Sequence, residues 1–362
     1  MSLGRDPCGD YTDMQSILSV YTKLLMLGEN INCKNELRSK TVAGYLSEVN
    51  RLHELRHRPK PINLRNSTLK PSILYNNLRN EENIASKREP ITNQTASRII
   101  SEGRRSPFTS KKALFRDTTV LAREVGPRSA ELVQRTAGKP DYHEYPSGKR
   151  VIKALCEDNF TFYDGNDQLI ADPVANRAAV RSMVIEWFIQ KNRRNGEKLR
   201  YKVNLEVPEI CAVNAAINLI DRARQLGQPS NLPFAIYKTR SKTKYMTNQL
   251  LTRMIREATK KSHTHMSKEE LSKYSCHSYR VWACVLLHEA GKDGDYIRVR
   301  LRWLSEAYRV YLRDTSSTAK AHVQALKRNT HRLNLALAAS QIMPLHETVD
   351  EDLEMGEYAD HV

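Results

Sequence analysis

From Asp13 to Gly28 the apolar residues Met14, Ile17, Leu18, Tyr21, Leu24 and Leu25 recur with the period of one helix face, and glycine closes the run. The pattern predicts an amphipathic helix. A second stripe, Val42, Tyr45, Leu46, Val49 and Leu52, predicts a helix over Ser39–His57. Three prolines and several basic residues between Arg58 and Pro71 mark a loop, and a third helix is expected over Ser72–Ser86. The N-terminal part therefore reads as a helical, basic domain over residues 1–105, with Arg104–Lys112 (RRSPFTSKK) as a turn-forming junction.

The pattern changes from Ala113. Leu114–Val125 reads as a helix stopped by Gly126-Pro127, and GPRSAELVQ opens a new one carrying Arg128 and, a turn later, Glu131. Strand-like runs follow at Arg150–Leu155, Asn159–Tyr163, Ser182–Ile189 and Lys198–Val203. The last two are joined by a segment containing Asn195-Gly196, a hairpin signal. Helices are expected at Pro208–Leu226 and Thr247–Lys260. Ser267 and Glu270 fit a capping box, and Val281, Val285 and Leu286 give a helix from Ser278 that Gly291 can end. A further helix is expected over Ala319–Met343, followed by an acidic tail at 344–362 expected to be disordered. The fold class is mainly α with a small antiparallel β-sheet: a helical domain, then a mixed α/β domain over 106–343.

Charge narrows the partners. The 362 residues carry a formal net charge of +17, with a pI near 9.6, which favours a polyanion: nucleic acid first, an acidic membrane surface second. No apolar run reaches the roughly 20 residues needed to span a bilayer. The N-terminus, MSLGRDPCGDYTD, leads into an amphipathic helix and is not expected to act as a secretory signal. The six cysteines lack a C-x-x-C pair and read as reduced thiols of an intracellular protein. His53-Glu-Leu-Arg-His57 has the H-E-x-x-H spacing of a zinc metalloprotease. However, Arg51, Arg56 and Arg58 would repel a cation, Pro59 ends the helix, and no convincing third ligand follows, so no zinc site is expected.

The candidate chemistry lies in Ser275–Thr315. His277 and Arg280 fall one turn apart at the start of a helix, whose N-terminus favours an anion, so together they can grip a phosphate. Trp303 and Tyr311 follow. The ordered set of Arg128 after a helix stop, Lys191 in a hairpin turn, His277-x-x-Arg280, Trp303 and Tyr311 resembles the tyrosine recombinase family. GPRSAEL is similar to the family's first-arginine motif, HSYR to its H-x-x-R box, and RWLSEAYRVYLRDT to the box ending in the nucleophile. The likeness covers roughly Ala113 to Thr315, and the C-terminal boxes look most like recombinases of eukaryotic mobile elements, the DIRS-like and Crypton groups. It implies a helical core-binding domain followed by a catalytic domain that cuts and rejoins double-stranded DNA, integrating or excising an element.

The resemblance implies these roles: Arg128 and Arg280 bind the non-bridging phosphate oxygens, Lys191 protonates the departing 5′ oxygen, and His277 acts as acid, base or donor. Trp303 donates its indole N–H and Tyr311 becomes a 3′-phosphotyrosyl ester. The chemistry that the resemblance implies requires no metal or nucleotide cofactor. It also implies a homo-tetramer on DNA through exchange of a C-terminal helix, and a nuclear location in a eukaryotic host. Arg240, Lys242, Lys244, Arg253 and Arg256 are expected to contact DNA phosphates. The sequence departs from the pattern in places. Trp303 and Tyr311 stand one residue closer than expected, which leaves Tyr308 as a rival nucleophile. Lys198 and Arg193 compete with Lys191. The span from Arg128 to His277 is long, which places an inserted loop at Lys139–Gly148 or Gly165–Arg177. The alternatives are a type IB topoisomerase, whose Ser-Lys-x-x-Tyr form is not found, and a catalytically silent DNA-binding protein.

Overall fold

The structure, a computed structural model, describes residues 14–27, 37–64, 70–81, 88–145, 147–190 and 194–312. The chain divides into two compact units between Lys87 and Arg88. Lys191, the Ala319–Met343 helix and the acidic tail lie outside the described residues.

The first unit contains α1 (Met14–Leu27), α2 (Ser39–Leu55) and α3 (Lys70–Glu81). Leu18, Leu25, Val42, Leu46 and Val49 are buried from the two expected stripes and close over Ile62. Asn50 fixes the loop after α2, donating to the Ile62 carbonyl at 2.7 Å and accepting from its N–H at 3.1 Å. His53 is buried on α2, whereas His57 lies past the helix end with φ +56°. The two histidines of the H-E-x-x-H therefore do not share a helix face, and no cluster of metal ligands occurs among the described residues.

The second unit begins with α4 (Asn93–Arg104) and α5 (Lys111–Val125). α4 belongs here and not with the N-terminal helices, so the structural division falls ahead of the boundary expected at residue 105. It is capped by Thr92, whose hydroxyl accepts from the Thr95 N–H at 3.1 Å, and it buries Ala96 and Ile99. α5 is buried on nearly every side, as suits a central helix. After α6 (Ser129–Leu132) come β1 (Tyr142–Glu144), β2 (Arg150–Ile152), β3 (Phe160–Tyr163), β4 (Leu169–Ile170), β5 (Ser182–Trp187) and β6 (Glu197–Lys202). β1 and β2 form a hairpin of their own. The other four make an antiparallel sheet in the order β4-β3-β5-β6. On β6, Leu199 and Tyr201 face inward while their neighbours face out, which pins the register against β5. The connection from β5 to β6 ends in the Asn195-Gly196 turn, with Gly196 at φ +81°.

The chain continues with α7 (Ala212–Gln225), the hairpin β7 (Ile236–Lys238) and β8 (Thr243–Tyr245), and α8 (Asn248–Ser262). It ends with α9 (Lys268–Ser272), α10 (Ser278–Glu289), α11 (Gly294–Arg300) and a 3-10 helix, Glu306–Tyr311. The Ser267–Glu270 capping box forms in both directions, but it starts the short α9 and not α10. Every residue of α10 from Ser278 to Val285 is buried, and Tyr279 shares a 2.6 Å hydrogen bond with Thr119 of α5. The fold is mainly helical with small antiparallel sheets, and among the described residues no helix is long and apolar enough to cross a membrane. Cys156, Cys211, Cys276 and Cys284 are free and buried.

Candidate active site

α5 ends at Gly126, whose left-handed backbone (φ +54°) turns the chain toward Arg128. A side chain has no room there: a Cβ would stand 2.6 Å from Leu301 Cδ2 and 3.1 Å from Ala283 Cβ. That close approach brings the 126–128 turn against both α10 and the Leu301–Trp303 corner.

Three arginines meet at this corner. Arg280, on the first turn of α10, is buried; it donates to the Gly126 carbonyl at 2.7 Å and to the Leu301 carbonyl at 2.5 Å. Arg128 donates to the Arg302 carbonyl at 3.2 Å and to Glu131 at 3.0 Å. Arg302 donates to the other oxygen of Glu131 at 2.7 Å, an oxygen that also accepts from the Arg128 N–H. The helix expected over GPRSAELVQ is only the single turn of α6: beyond Leu132 the chain is extended, and Gln134 bridges to Thr247. Even so, that one turn places Glu131 between the arginines.

Burial, with the Arg128 cation second, lowers the pKa of Arg280 to about 9. Glu131 lies near it, but both hydrogen bonds of its guanidinium go to neutral carbonyls. A buried charge held this way gains from a bound anion.

The Arg280 guanidinium lies 4.3 Å from the centre of the Trp303 ring. Trp303 packs at 5.3 Å against Tyr311, which packs at 5.3 Å against His277. The Tyr311 hydroxyl and His277 Nε2 share a 3.0 Å hydrogen bond. The buried Trp303 N–H has no hydrogen-bond partner among the described residues. Burial lowers the pKa of His277, helped by the Arg280 and Arg88 cations, and burial raises that of Tyr311, partly opposed by Arg280.

Five of the six sequence candidates thus converge: Arg128, His277, Arg280, Trp303 and Tyr311. Tyr308 does not join them. It is buried on the other side of the 3-10 helix, its hydroxyl against Gly294. From Glu306 to Tyr311 the chain is 3-10 wound, which rises about 2.0 Å per residue and so spans more distance per residue than an α-helix.

The sixth candidate, Lys191, lies outside the described residues; its neighbour Gln190 lines a cavity of about 910 Å³ together with Arg128, His143, Tyr145 and Lys153. Its rival Lys198 is engaged across the β5–β6 pair, 3.1 Å from Glu186; Arg193 lies outside the described residues. Lys153 is an addition that sequence reasoning misses. No composition signal marks it, and the β1–β2 hairpin brings it to the same cavity as Arg128.

The basic residues form a separate group. Arg240 and Lys242 are exposed in the β7–β8 turn, which Thr239 closes by bonding to Lys242, and Lys244 is exposed on β8. Arg253 is exposed on α8. Arg256 differs, because its guanidinium donates to the Tyr274 and Ser272 carbonyls, both at 2.9 Å. It ties α8 to the segment leading into His277.

No protein-family profile matches the sequence, and no curated protein does. Among solved structures the chain is similar to the Tn1549 transposon integrase in complex with circular intermediate DNA, at 12% identity and a TM-score of 0.47, over 88% of this chain and 87% of that one. It is also similar to the XerA recombinase, at 13% identity and a TM-score of 0.37, over 86% and 90%. A lambda integrase dimer bound to a core site aligns at 13% identity and a TM-score of 0.42, over 87% and 84%. The side chains of the site itself carry the functional reading.

Proposed function

We propose that this chain is a tyrosine recombinase: it cleaves and rejoins double-stranded DNA through a covalent 3′-phosphotyrosyl intermediate, and serves the integration or excision of a mobile element. The observation that carries this is the hydrogen bond between Tyr311 and His277 beside the Arg280–Trp303 stack and Arg128.

The scissile phosphate sits between the guanidiniums of Arg128 and Arg280, whose remaining N–H groups, with the indole N–H of Trp303, donate to its non-bridging oxygens. The neutral imidazole of His277 takes the phenolic proton as the Tyr311 oxygen attacks phosphorus. The bond from phosphorus to the 5′ oxygen of the next nucleotide breaks, and that oxygen receives a proton, a task assigned to Lys191. The product is a tyrosyl 3′-phosphodiester and a free 5′-hydroxyl. Rejoining runs the same steps backward with a 5′-hydroxyl from either strand, so bond energy is conserved and no nucleotide is consumed. The exposed cations at Arg240, Lys242, Lys244 and Arg253 hold the duplex by its phosphates. Assembly is a tetramer on DNA, joined by the segment after Thr318.

The test uses duplexes that the protein itself selects from a randomised library, nicked near the bound site and incubated with a chelator. A protein–DNA adduct that survives denaturation is expected from the parent and absent from Tyr311→Phe. Tight binding to the selected duplex with no adduct at any nick position would instead make the chain a silent DNA-binding protein.

A further inference from the structure

Arg302 stands immediately before Trp303 in a left-handed backbone conformation (φ +57°) that a side chain strains. Its side chain is fully buried. It donates to Glu131 at 2.7 Å, and its guanidinium carbon lies 3.2 Å from the centre of the Trp187 ring at the end of β5. A charged residue kept buried at a strained position is held there by something the fold needs.

Two consecutive carbonyls of this corner hold the two candidate phosphate-binding arginines: that of Leu301 accepts from Arg280, and that of Arg302 from Arg128. Glu131 holds Arg128 and Arg302 together. We propose that Arg302 is a positioning residue: clamped between Trp187 and Glu131, it fixes the Leu301–Trp303 corner from which Arg128, Arg280 and Trp303 are aimed at one phosphate. This deepens the recombinase reading and rests on it for the identity of the anion. Arg302 itself, buried beneath the corner, need not touch the substrate.

Arg302→Gly separates the clamp from the backbone, because glycine accepts the left-handed conformation without strain. Arg302→Lys keeps a cation but lacks the planar fork and stack, and serves should the glycine variant fold poorly. Adduct formation is timed in single turnover on duplexes carrying either an ordinary phosphate or a neutral methylphosphonate at the scissile position. Removing one charged oxygen removes much of what the guanidiniums neutralise. Both variants are expected to lose about 100-fold on the phosphate, the scale of a displaced catalytic group, and less than about tenfold on the methylphosphonate.

An equal loss on both substrates would mean a purely structural role, and no loss on either would mean that the clamp is idle; each overturns the proposal. If the parent forms no adduct, the recombinase reading has failed by itself. The positioning is then read directly from the guanidinium 15N resonances of Arg128 and Arg280. They should average by rapid rotation in Arg302→Gly, while unchanged resonances would contradict the clamp.

Discussion

The phenolic oxygen of Tyr311 lies 3.0 Å from Nε2 of His277, although 34 positions separate them in the chain. They meet because α10 begins at Ser278, leaving His277 at its cap, and the 3-10 helix Glu306–Tyr311 folds back onto that end. Burial pushes the imidazole down and the phenol up. At rest the proton therefore stays on Tyr311, beside a neutral acceptor.

This fixes the sign of the pH dependence. His277 titrates below the usual histidine value of about 6.5, so the imidazole can accept a proton throughout neutrality and loses that ability only in acid. Single-turnover cleavage should be level near pH 7 and fall as pH drops through the depressed pKa. His277→Ala should lower the plateau by about 10²–10⁴-fold, the usual worth of a general base, and remove the acid limb.

Gly126 is required twice over, by its positive φ and by the side chains of Leu301 and Ala283. Gly126→Ala should cost about 1–3 kcal/mol, the range for overpacking, measured by urea denaturation. It should also slow cleavage by more than the unfolded fraction explains, because the Gly126 carbonyl anchors Arg280.

The basic residues should separate by experiment. Alanine at Arg240, Lys242, Lys244 or Arg253 should weaken DNA binding and flatten its dependence on salt, by about one unit of log–log slope for each phosphate no longer neutralised. Arg256→Ala should act on stability, because its guanidinium is committed to Tyr274 and Ser272. Salt-titrated binding and thermal melting of the same five variants test this division.

Asp117 and Arg222 form an ion pair buried between α5 and α7, with Phe108 contributing a carbonyl. Asp117→Ala leaves a cation in the core and should destabilise the fold by about 3–5 kcal/mol. Asp117→Leu combined with Arg222→Met should recover most of that stability in the same denaturation measurement.

Much of the arrangement is legible from local pattern. The stripes of α1 and α2, the glycine stop after α5 and the Asn195-Gly196 hairpin each follow from short-range rules of periodicity and turn chemistry. Helix α4 is not, because its only aliphatic pair larger than alanine is Ile99-Ile100 and the segment NQTASRIISEGR is otherwise polar or small; the cap at Thr92 is its one sequence signal. Along the chain only the resemblance favours Tyr311 over Tyr308, since both lie in one box; the turn of the 3-10 helix sends Tyr308 into the core and Tyr311 to His277. Arg302 and Lys153 are hidden for the same reason. What each does depends on residues brought near by the fold, Trp187 of the sheet for one and the β1–β2 hairpin for the other.

The most direct measurement is to digest the trapped protein–DNA adduct with nuclease and protease and locate the nucleotide-bearing peptide by mass spectrometry. The account predicts a 3′-phosphonucleotide on Tyr311 and an unmodified Tyr308. A nucleotide on Tyr308, or on any residue other than Tyr311, would contradict it.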